Sequence, residues 1–191
     1  SKWTVGIVTI SLASIFFSGC WEEGGKGGEK GVEMKIYIIP IGDVEQDPLL
    51  RLSWALREKF DGVFEIGERI PLSEDTYRPE RRQYFATPLM GDLKKSIPKD
   101  ADKVLGVLDV DIFVPALNFI FGQADLGGKV ALISLTRLRE EYYGNNENRE
   151  LFMERTLKEA VHELGHTFGL RHCANAKCVM HFSNSLMDTD V

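Results

Sequence analysis

Short apolar segments alternate with segments of helical periodicity along the chain from residue 34 onward. Apolar runs rich in β-branched residues predict strands at 35–41, 63–66, 103–109 and 129–135. Segments with helical spacing or length predict three helices, at about 47–60, 85–96 and 147–168. The first helix is expected to begin at Asp47 as the cap, with Pro48 in the first turn. The order of elements predicts a mixed α/β (α+β) fold in which helices pack on a sheet of four or five strands.

The composition is that of one soluble globular domain. The chain has 191 residues, a hydrophobic content of 43% and a charged content of 27%. Its formal net charge is −6, which gives no electrostatic case for binding nucleic acid. The densest basic group is Arg78, Arg81 and Arg82. It is interpreted either as a solvated loop or as a site that binds a substrate carboxylate.

The first 33 residues differ from the rest. Residues 1–20 combine an apolar run with Ser18-Gly19-Cys20, which resembles a signal peptide with a lipobox, and residues 21–33 have the Gly, Glu and Lys content of a linker. The domain is then expected at 34–191. Membrane anchorage through a lipidated Cys20 would make the protein exported, and otherwise it would be cytoplasmic. A segment packed on the domain and a misassigned gene start are the alternatives.

The chemistry is concentrated near residue 162. All four histidines lie between 162 and 181, and the segment His-Glu-Leu-Gly-His-Thr-Phe-Gly-Leu-Arg-His fills residues 162–172. By this chain's own composition, the chance of three histidines, a glutamate and a glycine in those positions is on the order of 10⁻⁵. The segment is therefore a strong indication of a metal site.

The spacing of this segment explains how one metal ion can be held. His162 and His166 would lie about 40° apart around a helix and about 6 Å apart along it, so both rings can reach one Zn²⁺. Gly169 is expected to end the helix with a positive φ and to let His172 return as the third ligand. Three protein ligands leave the fourth position for water, which is typical of catalytic zinc.

Glu163 is the predicted catalytic residue. It would take a proton from the attacking water and pass it to the leaving amine. Gly165 is costly inside a helix, which indicates that another group approaches closely there. A non-catalytic zinc module that binds a peptide or a partner, and hydrolysis of a non-peptide amide, are the competing functional hypotheses.

The extended pattern resembles the metzincin clan of zinc peptidases. With Cys173, Cys178 and Met180 following His172, it is similar to the archaemetzincin family, and residues 34–42 and 121–139 resemble that family's first strand and rim strand. The resemblance implies a metzincin-like twisted mixed sheet, an active-site helix, a short C-terminal subdomain and peptide substrates, with Met180 as the Met-turn residue. It also implies that the strand at 129–135 lines the cleft and pairs with an extended peptide.

The resemblance further implies a second, structural zinc held by four cysteines. Cys173 and Cys178 match the first two, but no Cys-x-x-Cys pair follows up to Val191, so the second site is incomplete in this sequence or the sequence is truncated. The two cysteines are expected to remain thiols, to form a disulfide, or to bind a metal with His181 or Cys20. Two thiolates alone are too few for a structural zinc.

Overall fold

A computed structural model describes residues 33–182. Residues 1–20, with Cys20, and nearly all of the linker at 21–33 lie outside the described residues, so the division into signal, linker and peptidase domain stays a prediction. Within residues 33–182, no helix is both long enough and apolar enough to cross a bilayer.

The strands form two sheets, one of five strands and one of three. The described residues form β1 (Lys35–Ile41), β2 (Val63–Ile66), β3 (Tyr77–Arg78), β4 (Gln83–Phe85), β5 (Lys103–Leu108), β6 (Ile112–Phe113), β7 (Gly122–Ala124) and β8 (Val130–Ser134). The main sheet has the order β2-β1-β5-β8-β7, and β3, β4 and β6 form the small second sheet. In the main sheet β7 alone is antiparallel to its neighbour and lies at the edge. The predicted mixed sheet is confirmed, and the small sheet is an addition to it.

Helices cover both faces of the main sheet. The described helices are α1 (Gln46–Arg57), α2 (Ala86–Lys95) and α3 (Arg149–Thr167). Ile36 and Ile38 of β1 face the core shared with α1 and α3, whereas Ile39 and Ile41 face the core shared with α2. Since both faces are buried, β1 is a nearly continuous apolar run, as is usual for a parallel sheet between helices.

The helix boundaries differ slightly from those predicted. The expected cap at Asp47 is wrong: Glu45 is the capping residue, without a side-chain cap bond, and Asp47 lies in the first turn and pairs with Arg51 at 2.9 Å. Pro48 in the first turn is confirmed. The last helix begins later than predicted because the side chain of Asn148 accepts a hydrogen bond from the Leu151 amide and caps it.

Candidate metal centre and cleft

The end of α3 brings the three predicted histidines together. His162 and His166 lie in its last two turns, and Gly169 follows the helix with a φ of +86°, as predicted. The reversed chain then places His172 beside them, with its ring centroid 5.4 Å from that of His162 and 4.8 Å from that of His166. One ring nitrogen of each histidine lies within 4.8 Å of the other two, which is a suitable arrangement for one metal ion.

Backbone carbonyls fix the tautomers of two of these rings. His162 Nδ1–H donates to Val179 O and His166 Nδ1–H donates to Leu170 O, each at 2.7 Å. A carbonyl oxygen can only accept, so the proton is on Nδ1 and the lone pair is on Nε2 of both rings. Metal-binding histidines in proteins are usually oriented by such bonds.

The Nε2 atoms of the two neutral rings converge on one position, as two ligands of one cation would. The Nε2 atoms of His162 and His166 are 3.0 Å apart, and two acceptors at that distance repel each other. Burial lowers the pKa of His162 to about 4 and also lowers the pKa of His172. His162 and His172 therefore favour the neutral form, which is the form that ligates metals. The three histidines therefore fit a zinc ion, for which imidazole nitrogens are common ligands.

Gly165 is explained by a close contact with Met180. A Cβ on Gly165 would lie 2.6 Å from Met180 Sδ, and Met180 is buried. The residue before Met180 is Val179, whose carbonyl accepts the bond from His162. The structure thus places Met180 against the turn of α3 that lies between the two helical histidines, in agreement with the predicted close approach at Gly165.

A cleft of about 330 Å³ opens in front of the histidines. Edge strand β7 forms one side of it, and the loop before β7 supplies apolar side chains that include Phe119 and Ile120. The prediction that the strand at 129–135 pairs with substrate is wrong, because β8 is already hydrogen bonded to β5 and β7 on its two sides. On this side of the sheet β7 is the edge strand, so its outer backbone groups are the ones available to an added strand.

A polar network holds the loop that precedes β7. Arg81 donates to Leu117 O and Asn118 O, and its guanidinium lies 4.1 Å from the ring centroid of Phe113. Asp111 accepts a bidentate pair of bonds from Arg137, at 2.6 and 2.7 Å. Arg81 is therefore part of the loop support and contributes to the shape of the cleft, which favours the loop interpretation of the arginine group.

Glu163 is buried between α3 and β7. A Cβ on Gly122 would lie 2.5 Å from Glu163 Cγ, so only glycine leaves room for this side chain. Burial, followed by the neighbouring Glu159 carboxyl, raises the pKa of Glu163 well above its usual range. Glu159, which also lines the cleft, was missed from the sequence, although a glutamate one turn before Glu163 must share its helix face.

Adding a methyl group at Gly122 is expected to reduce activity without removing zinc. The alanine side chain in Gly122→Ala would displace Glu163, the predicted catalytic residue, and a misplacement of about 1 Å in a catalytic group costs up to about 100-fold in rate. Gly91→Ala is the matched control, since a Cβ there meets nothing within 4 Å. Peptide cleavage, zinc content and thermal unfolding are measured for both variants, and equal cleavage by the two would contradict the contact.

The two cysteines of the C-terminal segment are free thiols in the structure. The Cys173 amide donates to Met180 O at 2.8 Å, and His181 Nδ1–H donates to Cys173 O at 3.0 Å. Among residues 33–182, the sole cluster of three or more potential metal ligands is that of His162, His166 and His172. A second zinc on Cys173 and Cys178 therefore has no third ligand in the described residues, and it stays a prediction.

Fold and histidine spacing together define the class of protein. A mixed sheet flanked by helices, with two histidines on a long helix and a third beyond a glycine turn, is the arrangement of metzincin-type zinc metallopeptidases. Comparison with known families agrees: the model of Peptidase family M54 matches residues 62–191. The chain belongs to peptidase family M54.

Relatives and solved structures support this assignment over most of the chain. The sequence is 47% identical over 161 residues to the archaemetzincin of Methanocaldococcus jannaschii, covering 83% of this chain and 86% of that protein. It is 49% identical over 164 residues to the archaemetzincin of Pyrococcus furiosus, covering 82% and 84%.

The crystal structures of two archaemetzincins have the same fold. That from Archaeoglobus fulgidus, complexed with malonate, matches with a TM-score of 0.71 at 39% identity and covers 82% of this chain and 91% of its own. That from Methanopyrus kandleri matches with a TM-score of 0.72 at 35% identity, covering 84% and 87%. The predictions of family, fold class and enzyme class are confirmed, and the chain is a zinc metallopeptidase.

Proposed function

We propose that the protein hydrolyses peptide bonds at the histidine cluster, with Glu163 as the general base. The observation that carries the proposal is the convergence of His162, His166 and His172 beside the buried Glu163 in one cleft. Zinc, when bound by the three imidazoles, supplies a Lewis acid that lowers the pKa of water and polarises a carbonyl. The three histidines line the cleft together with Glu163, so the polarised groups would be open to a substrate there.

The protein's own residues would carry the proton. An oxygen of Glu163 takes it from the attacking water and delivers it to the nitrogen of the leaving amine. The low solvent exposure of Glu163, 6%, raises its basicity compared with a surface carboxylate, because burial disfavours the charged form. Such tuning toward neutral pH is expected of a general base.

The edge of β7 would hold the substrate. Its outer backbone groups face away from β8, and β7 lines the cleft with the histidines. An extended peptide can add to such an edge by main-chain hydrogen bonds. The apolar wall at Phe119 and Ile120 would then accept an apolar side chain of the peptide.

The test uses the full chain, its zinc content and a broad panel of peptides. About one zinc per chain and cleavage that a chelator abolishes and added zinc restores are the expected results. Zinc that stays tightly bound to a folded protein which cleaves no peptide of the panel would overturn the proposal. That outcome would favour a non-catalytic zinc module that binds peptides.

A further inference from the structure

The apolar wall at Phe119 and Ile120 belongs to the loop that joins β6 to β7. Residues 114–121 of this loop form neither a helix nor a strand. The other loop residues that line the cleft are also apolar, and they are Val114, Leu117 and Phe121. A segment without regular hydrogen bonding of its own keeps one shape only when neighbouring groups hold it.

Two polar side chains next to the loop hold its backbone. Arg81 donates to Leu117 O and Asn118 O, at 3.2 and 2.8 Å, and the buried Gln83 amide donates to Asn118 O at 3.0 Å. The same Gln83 nitrogen donates to a carboxylate oxygen of Asp111, also at 3.0 Å. One buried amide group therefore ties the loop backbone to the Asp111 carboxylate.

The Asp111 carboxylate also fixes the ring of Phe119, through Arg137. Arg137 donates two bonds to Asp111, and this pair is largely buried, with side chains 18% and 12% exposed. The guanidinium of Arg137 lies 4.1 Å from the ring centroid of Phe119, and the ring of Phe121 meets Phe119 edge-on at 5.2 Å. Because a bidentate bond holds a guanidinium in one plane, Arg137 presents a fixed surface to the ring.

We propose that Arg137 is a positioning residue that sets the selectivity of the cleft for an apolar side chain by holding Phe119 in place. Of the described residues, Phe119 lines the cleft and Arg137 does not, so Arg137 acts on the substrate through the ring. The proposal rests on the proposed function, in which the apolar wall accepts a side chain of the peptide. A wall that is already ordered does not have to be ordered by the substrate, which favours binding.

Arg139 provides a matched control within the same segment. It donates to Asp109 at 2.6 Å, and its guanidinium lies 4.5 Å from the ring centroid of Phe152. Phe152 belongs to α3 and lines a separate cavity rather than the cleft. Arg139→Gln thus removes the same two kinds of contact as Arg137→Gln, but from a ring that does not face the cleft.

The test uses the zinc-loaded full chain and two forms of one cleaved peptide, with leucine or alanine at the position where this exchange changes KM most. We expect Arg137→Gln to raise KM for the leucine form by about 3- to 30-fold, the range for loss of a cation–π contact. KM for the alanine form, kcat and zinc content should not change. Arg137→Lys retains the charge without the planar fork and should shift KM in the same direction, whereas Arg139→Gln should keep the wild-type ratio of the two KM values.

Phe119→Ala tests whether Arg137 acts through the ring. In the Phe119→Ala background, Arg137→Gln should have no further effect on the ratio of the two KM values, because residues in contact are energetically coupled. An effect of Arg137→Gln that is as large in this background as in the wild type would overturn the proposal.

The remaining outcomes separate selectivity from general stability and from direct binding. A wild-type KM ratio in both Arg137 variants, or an equal change of the ratio in Arg139→Gln, would overturn the proposal. An effect restricted to peptides with a free carboxyl terminus would also overturn it, because Arg137 would then bind the charge of the substrate.

Calorimetric binding of the two peptides to the zinc-loaded protein gives a readout that does not depend on cleavage. The wild type should bind the leucine form more tightly than the alanine form, and Arg137→Gln should lose most of this preference. Such a result in a protein that cleaves neither peptide would overturn the proposed function and leave the role of Arg137 supported. Equal preference in the wild type and Arg137→Gln would overturn that role.

Discussion

Replacing Glu163 with glutamine is expected to lower kcat by about 100- to 10,000-fold, the range that a general acid–base residue contributes. The amide of glutamine has nearly the shape of the carboxyl group but does not accept a proton from water. Because glutamine also matches glutamate in size, the local packing on α3 should persist. The three histidines are untouched, and the zinc content should stay at about one per chain.

Steady-state cleavage of one peptide and metal analysis of the same samples check this expectation. Glu154→Gln is a suitable control, because Glu154 is an exposed residue of α3 that forms an ion pair with Lys158 rather than lining the cleft. Control activity should equal that of the wild type. Cleavage by Glu163→Gln at the wild-type rate would refute the assignment of the base.

Replacing His166 with alanine is expected to remove most of the zinc affinity. In proteins, loss of a group that only orients a metal ligand weakens metal binding by about 10- to 100-fold. This variant loses one of the three ligating nitrogens themselves, which is a larger change. A loss of more than about 100-fold is therefore expected. Because zinc that binds the native state stabilises it, the rise in melting temperature on adding zinc should also shrink.

His181→Ala provides a matched control for this experiment. His181 lies in the same C-terminal part, but it donates to Cys173 O and is not a member of the histidine cluster. Zinc titration and thermal unfolding with and without zinc are compared for both variants. Equal zinc affinity in His166→Ala and the wild type would exclude His166 as a ligand.

Local features of the structure could be predicted from the sequence because short-range physics controls them. The isoleucines of β1 identify a strand whose two faces are buried, and the spacing of His162 and His166 identifies one face of a helix. Gly169 was expected to have a positive φ because it must reverse the chain toward His172. Each of these inferences uses residues that are close in sequence.

Features that depend on distant residues could not be predicted. The edge position of β7 follows from the order of strands in the sheet, and the family resemblance assigned its cleft-lining role to β8 instead. Strands of two or three residues, such as β3 and β6, have too little periodicity to be recognised. The partner of Gly165 and the carbonyl that orients His162 come from the segment that ends at Met180, and its return path is set by tertiary packing.

The exposed edge of β7 has a consequence for protein substrates under the proposed function. A chain that pairs with this edge has to be extended and must have its own main-chain groups available, a condition that helices and paired strands do not meet. A folded protein would become a substrate only during local opening, and its cleavage rate would follow the free energy of that opening when reclosure is fast. The enzyme would thus select among proteins by their local stability as well as by their sequence.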